Sequence, residues 1–421
     1  MSRSAATVTL AFLLAVPAVA ATRMTYDIHG TPTAIEWAPT AFPLPYTVDQ
    51  RLAQLDSEAP AIIDRAFAAW AAIPDAQLAF VSRGTTSGSL ARTAGGVTIS
   101  LADDLFRDQG ALAMTTYTFD DDGRYVDAAI QIDPSLFRGS WNAQMAIEHE
   151  VGHVLGLDHS GVLSAIMYPY VASGASAPLF DSDDRIAIAT TYPKTNPTLG
   201  GATLEGRVVG DNGGIFGAQV VALNTRGEPV ATALTDASGE FTIAGVPEGR
   251  YRLYAEPLDG PMLPDSLQGT WRTAKAGVFP TEFFDGGAID VANGRVYGNL
   301  MLRASGVAQL NPRWVGSSKP DANAVSLSSA PIGVKAGDTV RLSVGGDGFT
   351  SGMTQFEITN PAFRRVSDFS WQSNYMSATF TVDRDAAPGS AVILVTSGRE
   401  TATLTGALRI EGLTKSRSVR H

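Results

Sequence analysis

One stretch, His149-Glu150-Val151-Gly152-His153-Val154-Leu155-Gly156-Leu157-Asp158-His159, holds three of the chain's five histidines. His149 and His153 are four apart, so on a helix they share one face. Two imidazoles so placed can bind one Zn²⁺ at roughly 2.0–2.1 Å each. Gly156 lets the chain leave the helix, because a residue without Cβ tolerates a positive φ at a helix end. The chain can then bring His159 in as a third ligand. Three protein ligands leave a fourth position open, the arrangement of a catalytic rather than a structural zinc. Glu150 follows His149, cannot share its direction, and is the candidate general base facing a water in that position.

The spacing H-E-x-x-H-x-x-G-x-x-H resembles the metzincin metallopeptidases. Asp158-His159-Ser160, followed by Ser164-Ala165-Ile166-Met167-Tyr168-Pro169, is similar to the zinc helix and Met-turn of the matrixin branch. The resemblance implies an α+β catalytic domain, with a twisted mixed sheet, an active-site helix and Met167 as an apolar floor beneath the imidazoles. Tyr168 does not match the tyrosine that ligates zinc in astacin-like or serralysin-like relatives and is not counted as a ligand. The bland alternative, a solvated helix carrying two unrelated histidines, fits a lone H-E-x-x-H but not the extended motif with a Met-turn behind it.

A chain of 421 residues has room for about two to four domains. Its 44% apolar and 17% charged content suits packed cores. Net charge is −11 with no basic stripe, which argues against a nucleic-acid partner. The absence of cysteine excludes disulfides and thiolate metal sites. It also excludes the prodomain cysteine that silences many matrixin-family members. His29 is the only upstream residue that could imitate that ligand, and an exposed turn is the plainer reading.

Arg3, the apolar run Val8 to Val19 and the small residues Ala18-Val19-Ala20-Ala21 read as a signal peptide over residues 1–21, so export to the extracellular space is expected. The run is short for a membrane span, and no later stretch is long enough to anchor the mature chain.

The elements that must position the motif follow in residues 22–193. Thr22 to Pro45 is short and proline-rich. Tyr46 to Asp49 reads as a strand. Glu58 to Ile73 reads as a helix, since Ile63, Phe67, Trp70 and Ile73 recur at helical spacing. Leu78 to Val81 and Val97 to Leu101 read as strands. Thr115 to Phe119, preceded by Ala111, Leu112 and Ala113, resembles the family's edge strand, along which an extended peptide substrate would lie. Asp120-Asp121-Asp122-Gly123 reads as a hairpin turn that could also attract Ca²⁺. Ala128 to Ile132 returns as a strand. No histidine lies between His29 and His149, so the second, structural zinc of animal relatives is not expected, and one zinc is. Trp141 to Leu155 is the zinc helix with Ser140 as N-cap. Pro169 to Leu179 should line the cleft. Asp183 to Tyr192 resembles the closing helix, its acidic pair favourable at a helix N-terminus.

Residues 194–201 read as a linker. Short alternating strands with Gly and Asp turns over 202–304 argue an all-β sandwich and resemble a carboxypeptidase-regulatory, transthyretin-like domain. Residues 305–324 read as a second linker. Residues 325–412 resemble a TIG-type immunoglobulin-like sandwich, and 413–421 form a tail.

The expectation is a secreted zinc metalloendopeptidase with protein or peptide substrates, whose β modules could hold a cell-surface or matrix ligand. Two rivals stay open: a surface-binding protein with an inactive zinc site, and a hydrolase of non-peptide amides or esters.

Overall fold

The computed structural model describes residues 22–87, 92–102, 111–170, 180–195, 197, 200–275, 277–322 and 324–412. The signal-peptide reading of 1–21, the cleft-wall reading of 171–179, part of the first linker and the tail lie outside the described residues.

The motif-bearing part consists, in chain order, of β1 (Thr25–Ile28), β2 (Thr31–Ala34), β3 (Leu44–Asp49), α1 (Gln50–Leu55), α2 (Ala59–Ala71), β4 (Phe80–Thr86), β5 (Val97–Leu101), β6 (Ala113–Phe119), β7 (Tyr125–Ile132), α3 (Ala143–Val154) and α4 (Ser182–Thr191). Five strands form one mixed sheet in the order β4-β3-β5-β7-β6. The pairings of β3 with β4 and β5, and of β5 with β7, are parallel, whereas β6 runs antiparallel to β7 at the sheet's end. Helix α2 places Ile63, Ala66, Phe67 and Trp70 inward at helical spacing, all of them buried with the sheet residues Val48, Ile99 and Ile130. Helix α3 packs in the same core through Ile147, Val151 and Val154.

Several bounds in this region shift. The second strand begins at Phe80 rather than Leu78. Helix α3 begins at Ala143 rather than Trp141, and its N-cap is Asn142 rather than Ser140, because the Asn142 side chain accepts the Met145 N–H at 3.1 Å. The proline-rich stretch after Thr22 packs into the core of the motif-bearing part. Hairpin β1–β2 is flanked by Met24, Ile35 and Trp37, all essentially inaccessible to solvent. His29 sits in that hairpin's turn at φ 53°, exposed and 3.8 Å from the Asp121 carboxylate, so it does not reach the other histidines.

Residues 202–303 form two facing sheets. One orders Pro229–Leu234, Gln219–Asn224, Gly249–Glu256 and Glu282–Phe283, with Ile289–Val291 also on Gly249–Glu256. The other orders Glu240–Val246, Ala202–Gly210 and Val296–Arg303, the last pairing parallel. The third module also has two sheets, one led by Asn311–Ser318 beside Thr339–Asp347, the other containing Gly389–Ser397 and Glu400–Glu411. The linker reading of 305–324 is therefore wrong over Asn311–Ser318. Pro312 and two serines mimic linker composition there, but the segment is a sheet-edge strand, where proline is tolerated.

The β modules pack directly on the motif-bearing part. Asp183 of α4 accepts from the Thr232 N–H and hydroxyl at 2.9 and 3.0 Å. The Leu163 N–H donates to the Thr405 carbonyl at 2.8 Å, and the Tyr168 hydroxyl to the Ser329 carbonyl at 2.7 Å. Leu163 and Tyr168 share a buried cluster with residues of the third module.

Candidate active site

Helix α3 carries His149, Glu150 and His153, and its far end is fixed by three aromatic side chains. The last carbonyls of a helix lack intrahelical donors, and here aromatic side chains supply them. Trp37 Nε1 donates to Val154, the Tyr125 hydroxyl to His153, and the Tyr192 hydroxyl to Leu155, at 2.8, 3.0 and 3.0 Å. One turn earlier, Trp70 Nε1 donates to the Glu148 carbonyl at 2.8 Å. The chain then reverses at Gly156, φ +89°, where a Cβ would lie 2.2 Å from the Ile35 carbonyl oxygen. Only glycine permits both the angle and that approach.

The reversal brings His159 against the other two histidines. Nε2 of His149 lies 3.1 Å from Nε2 of His153 and 3.2 Å from Nε2 of His159. Each Nδ1 faces a backbone carbonyl: Ile166 for His149 at 2.8 Å, Leu157 for His153 at 2.9 Å, and Ser266 for His159 at 2.5 Å. A carbonyl only accepts, so each Nδ1 carries the hydrogen and each neutral ring turns a bare lone pair inward. Three lone pairs aimed at one point have no hydrogen to share among them, and only a cation satisfies all three. Ligands at 2.0–2.1 Å in a tetrahedron stand about 3.3–3.4 Å apart, close to the spacing found. Burial pushes the His149 imidazole down to about 3, with neighbouring His159 adding to the shift, and burial likewise lowers His153 and His159. All three are therefore neutral, ligand-ready bases at pH 7. The three histidines fit a single divalent zinc, and they are the group of His, Asp and Glu side chains able to hold a metal among the described residues.

Glu150 is 7% exposed beside this cluster. Its Oε2 accepts the Thr115 hydroxyl of β6 at 2.6 Å. Burial raises its carboxyl to about 7, and the Thr115 hydrogen bonds oppose that rise. Met167 is buried against α3, where a Cβ on Gly152 would lie 2.2 Å from its Sδ. The acidic pair of α4 is structural and more specific than a helix-end charge. Asp181 and Asp184 form a capping box, and Asp184 also accepts the Ile166 and Met167 N–H groups at 2.8 and 3.1 Å. Asp184 thus fixes the peptide whose carbonyl orients His149. Tyr168 points at Ser329, away from the cluster.

A cleft of about 730 Å³ runs over the histidines, lined on one side by residues 111–117 of β6 and its approach, including Ala111, Leu112 and Ala113. Pro169 and Tyr170 line it too, as do Met24 and Gln268. Asp120 is occupied within its turn, accepting the Asp122 and Arg124 N–H groups at 3.0 and 2.8 Å, as a hairpin requires.

Sequence reasoning missed Thr115, Trp37, Tyr125, Asp184, Ser266 and Gln268 as parts of the site. The pattern of Thr115 on the expected edge strand was the one local signal. The others act through contacts made across more than a hundred residues or through backbone groups, which leave no side-chain pattern.

Residues 36–193 match the matrixin family, and residues 203–259 match the carboxypeptidase regulatory-like domain. Karilysin of Tannerella forsythia is 50% identical over 44 residues, which span 10% of this chain and 9% of karilysin. Among solved structures, the minor pilin GBS52 of Streptococcus agalactiae is 15% identical, covering 28% of this chain and 49% of its own, at a TM-score of 0.17. Fervidolysin from Fervidobacterium pennivorans, a keratinolytic enzyme related to subtilisin, is 11% identical, covering 52% of this chain and 32% of its own, at a TM-score of 0.16. Likenesses that weak say nothing about function. The chain carries a matrixin domain, of a family of zinc-dependent metalloproteases, followed by a carboxypeptidase regulatory-like domain.

Proposed function

We propose that this chain is an exported zinc endopeptidase that hydrolyses peptide bonds with Glu150 as general base. The observation that carries the reading is the convergence of three bare imidazole nitrogens beside a buried carboxylate on the floor of a cleft. Zinc bound by His149, His153 and His159 would polarise a scissile carbonyl and lower the pKa of a water from 15.7 towards about 7. Glu150 accepts a proton at a carboxylate oxygen and passes it to the leaving nitrogen. Its carboxyl at about 7 belongs to a metal-free site, and a divalent cation alongside draws it down, so the basic form prevails at neutral pH. Thr115 holds the carboxylate on the cleft side of α3.

The outermost strand β6 forms one cleft wall, so an extended peptide added along Ala111–Ala113 would cross the metal cluster. That arrangement favours a polypeptide over a small amide or ester. Export follows from the apolar run Val8 to Val19 and its small-residue end. No helix among the described residues is long and apolar enough to cross a membrane. The third module reads as a TIG-type immunoglobulin-like sandwich, and both β modules are candidates for holding a surface or matrix ligand.

The test is cleavage of an unfolded protein by the purified chain lacking residues 1–21. Activity should vanish with a zinc chelator and return on adding one equivalent of Zn²⁺. A chain that binds one zinc yet cleaves no peptide would favour the surface-binding reading.

A further inference from the structure

The third histidine is oriented from outside the matrixin domain. His159 Nδ1 donates to the carbonyl of Ser266, 107 residues later, in the segment that joins Gly249–Glu256 to Glu282–Phe283 of the first β module. Two residues on, the Gln268 N–H donates to Asp158 Oδ2 at 2.9 Å, while Asp158 Oδ1 accepts the His159 N–H at 2.8 Å. Asp158 is 1% exposed, so this carboxylate clamps the two segments away from water. The same loop is pinned elsewhere. Trp271 Nε1 donates to the Arg23 carbonyl at 2.9 Å, and Gly269 comes so close to Thr25 that a Cβ would meet its carbonyl oxygen at 2.1 Å. The N-terminal segment between them pairs with the metal loop, the Met24 N–H donating to the Gly156 carbonyl and the Asp158 N–H to that of Thr22. Leu267 is fully buried and packs, with Leu258 and Met262, into the cluster shared with the third module. On its other side the loop places Gln268 in the lining of the same cleft.

We propose that the Pro264–Trp271 loop is a built part of the active site, in which Ser266 is a positioning residue for His159 and Gln268 sets substrate preference at one end of the cleft. The carbonyl fixes the ring's tautomer and its direction, and partners of this kind hold metal-ligating histidines in register. The β module then supplies one of the three carbonyls that orient the histidines, rather than being an appendage. The inference rests on the reading of the three histidines as a metal site.

The experiment uses the full chain and zinc affinity measured by chelator competition, alongside thermal melting. Gln268→Pro removes the N–H that holds Asp158, and Leu267→Gly releases the loop's anchor. Each should weaken zinc binding about 10–100-fold, and Leu267→Met should restore it. Gln268→Pro leaves Leu267 packed and so keeps the test open if Leu267→Gly fails to fold. Gln268→Ala retains the backbone donor. It should bind zinc as the wild type does, yet change the cleavage pattern on a peptide mixture, with KM moving more than kcat. Wild-type zinc affinity in both loop variants would overturn the positioning role, and an unchanged cleavage pattern in Gln268→Ala would overturn the specificity role. A wild-type chain that binds no zinc would sink the metal-site reading itself, an outcome distinct from either.

Discussion

His149 and His159 are ten residues apart in sequence and are held by opposite means. His149 stands on a helix whose N-cap, buried face and partner carbonyl all come from the matrixin domain. Its carbonyl partner, Ile166, is itself fixed by Asp184 within the same domain. His159 stands on an irregular loop and takes its partner from another module. A helix supplies direction through its own hydrogen bonds. A loop must borrow direction from whatever packs on it, and here that is the segment before β1 and a second loop from a distant part of the chain.

The sharpest way to break the helical side of this comparison is at its exit. Gly156→Ala must hold a non-glycine residue at φ +89° and push a Cβ into the Ile35 carbonyl. It should cost about 2–4 kcal/mol in denaturant unfolding and abolish tight zinc binding, since His159 is presented from this turn. Stability within about 0.5 kcal/mol of wild type would show that the turn is not strained as described.

Acid should separate the two states of the metal site. His149 is neutral and buried, with its pKa lowered to about 3 from the 6.5 of an exposed imidazole. The unfolded chain therefore binds the extra proton first. The metal-free protein keeps this contribution above about pH 6.5 and loses it as pH falls from 6.5 towards 3. The loss is on the order of 4–5 kcal/mol, and His149→Gln should reduce it in metal-free unfolding curves, with the buried His153 and His159 still contributing to what remains. Parallel pH dependence in both proteins would contradict the burial argument.

Asp184→Asn places an amide NH₂ where a carboxylate now accepts backbone N–H groups. It should cost about 1–3 kcal/mol and weaken zinc binding through His149, leaving the loop at Ser266 unaffected. Protection of the Ile166 amide in hydrogen exchange should fall, and unchanged protection would remove Asp184 from the account.

The smallest effect is expected at Thr115→Val, which removes a hydroxyl that opposes the rise of the Glu150 carboxyl. The acid limb of kcat/KM should move to higher pH, with a loss at neutral pH of less than about tenfold, since a neutral hydrogen bond contributes roughly 1 kcal/mol. A limb that stays in place would mean that Thr115 does not orient the base.

The same contrast explains what was legible in the sequence. His149, Glu150, His153 and Gly156 were readable because helical periodicity and one positive-φ position tie them together within a few residues. Helix α2 was readable from the same periodicity, and strand β5 from a short apolar run with β-branched residues. Asn142 rather than Ser140 as the cap was a contest between two good capping residues that only geometry settles. Asn311–Ser318 looked like a linker because an edge strand tolerates the residues a linker uses. The buried aromatics at the end of α3 and the Ser266 carbonyl were beyond reach, since a backbone acceptor exists at every residue and only tertiary packing selects one.

The most direct test loads the wild-type chain and Glu150→Gln with one equivalent of zinc and follows cleavage of an unfolded protein. The account predicts that both bind zinc with similar affinity and that Glu150→Gln loses cleavage by about 10²–10⁴-fold. Cleavage at the wild-type rate by the zinc-loaded Glu150→Gln chain would contradict it.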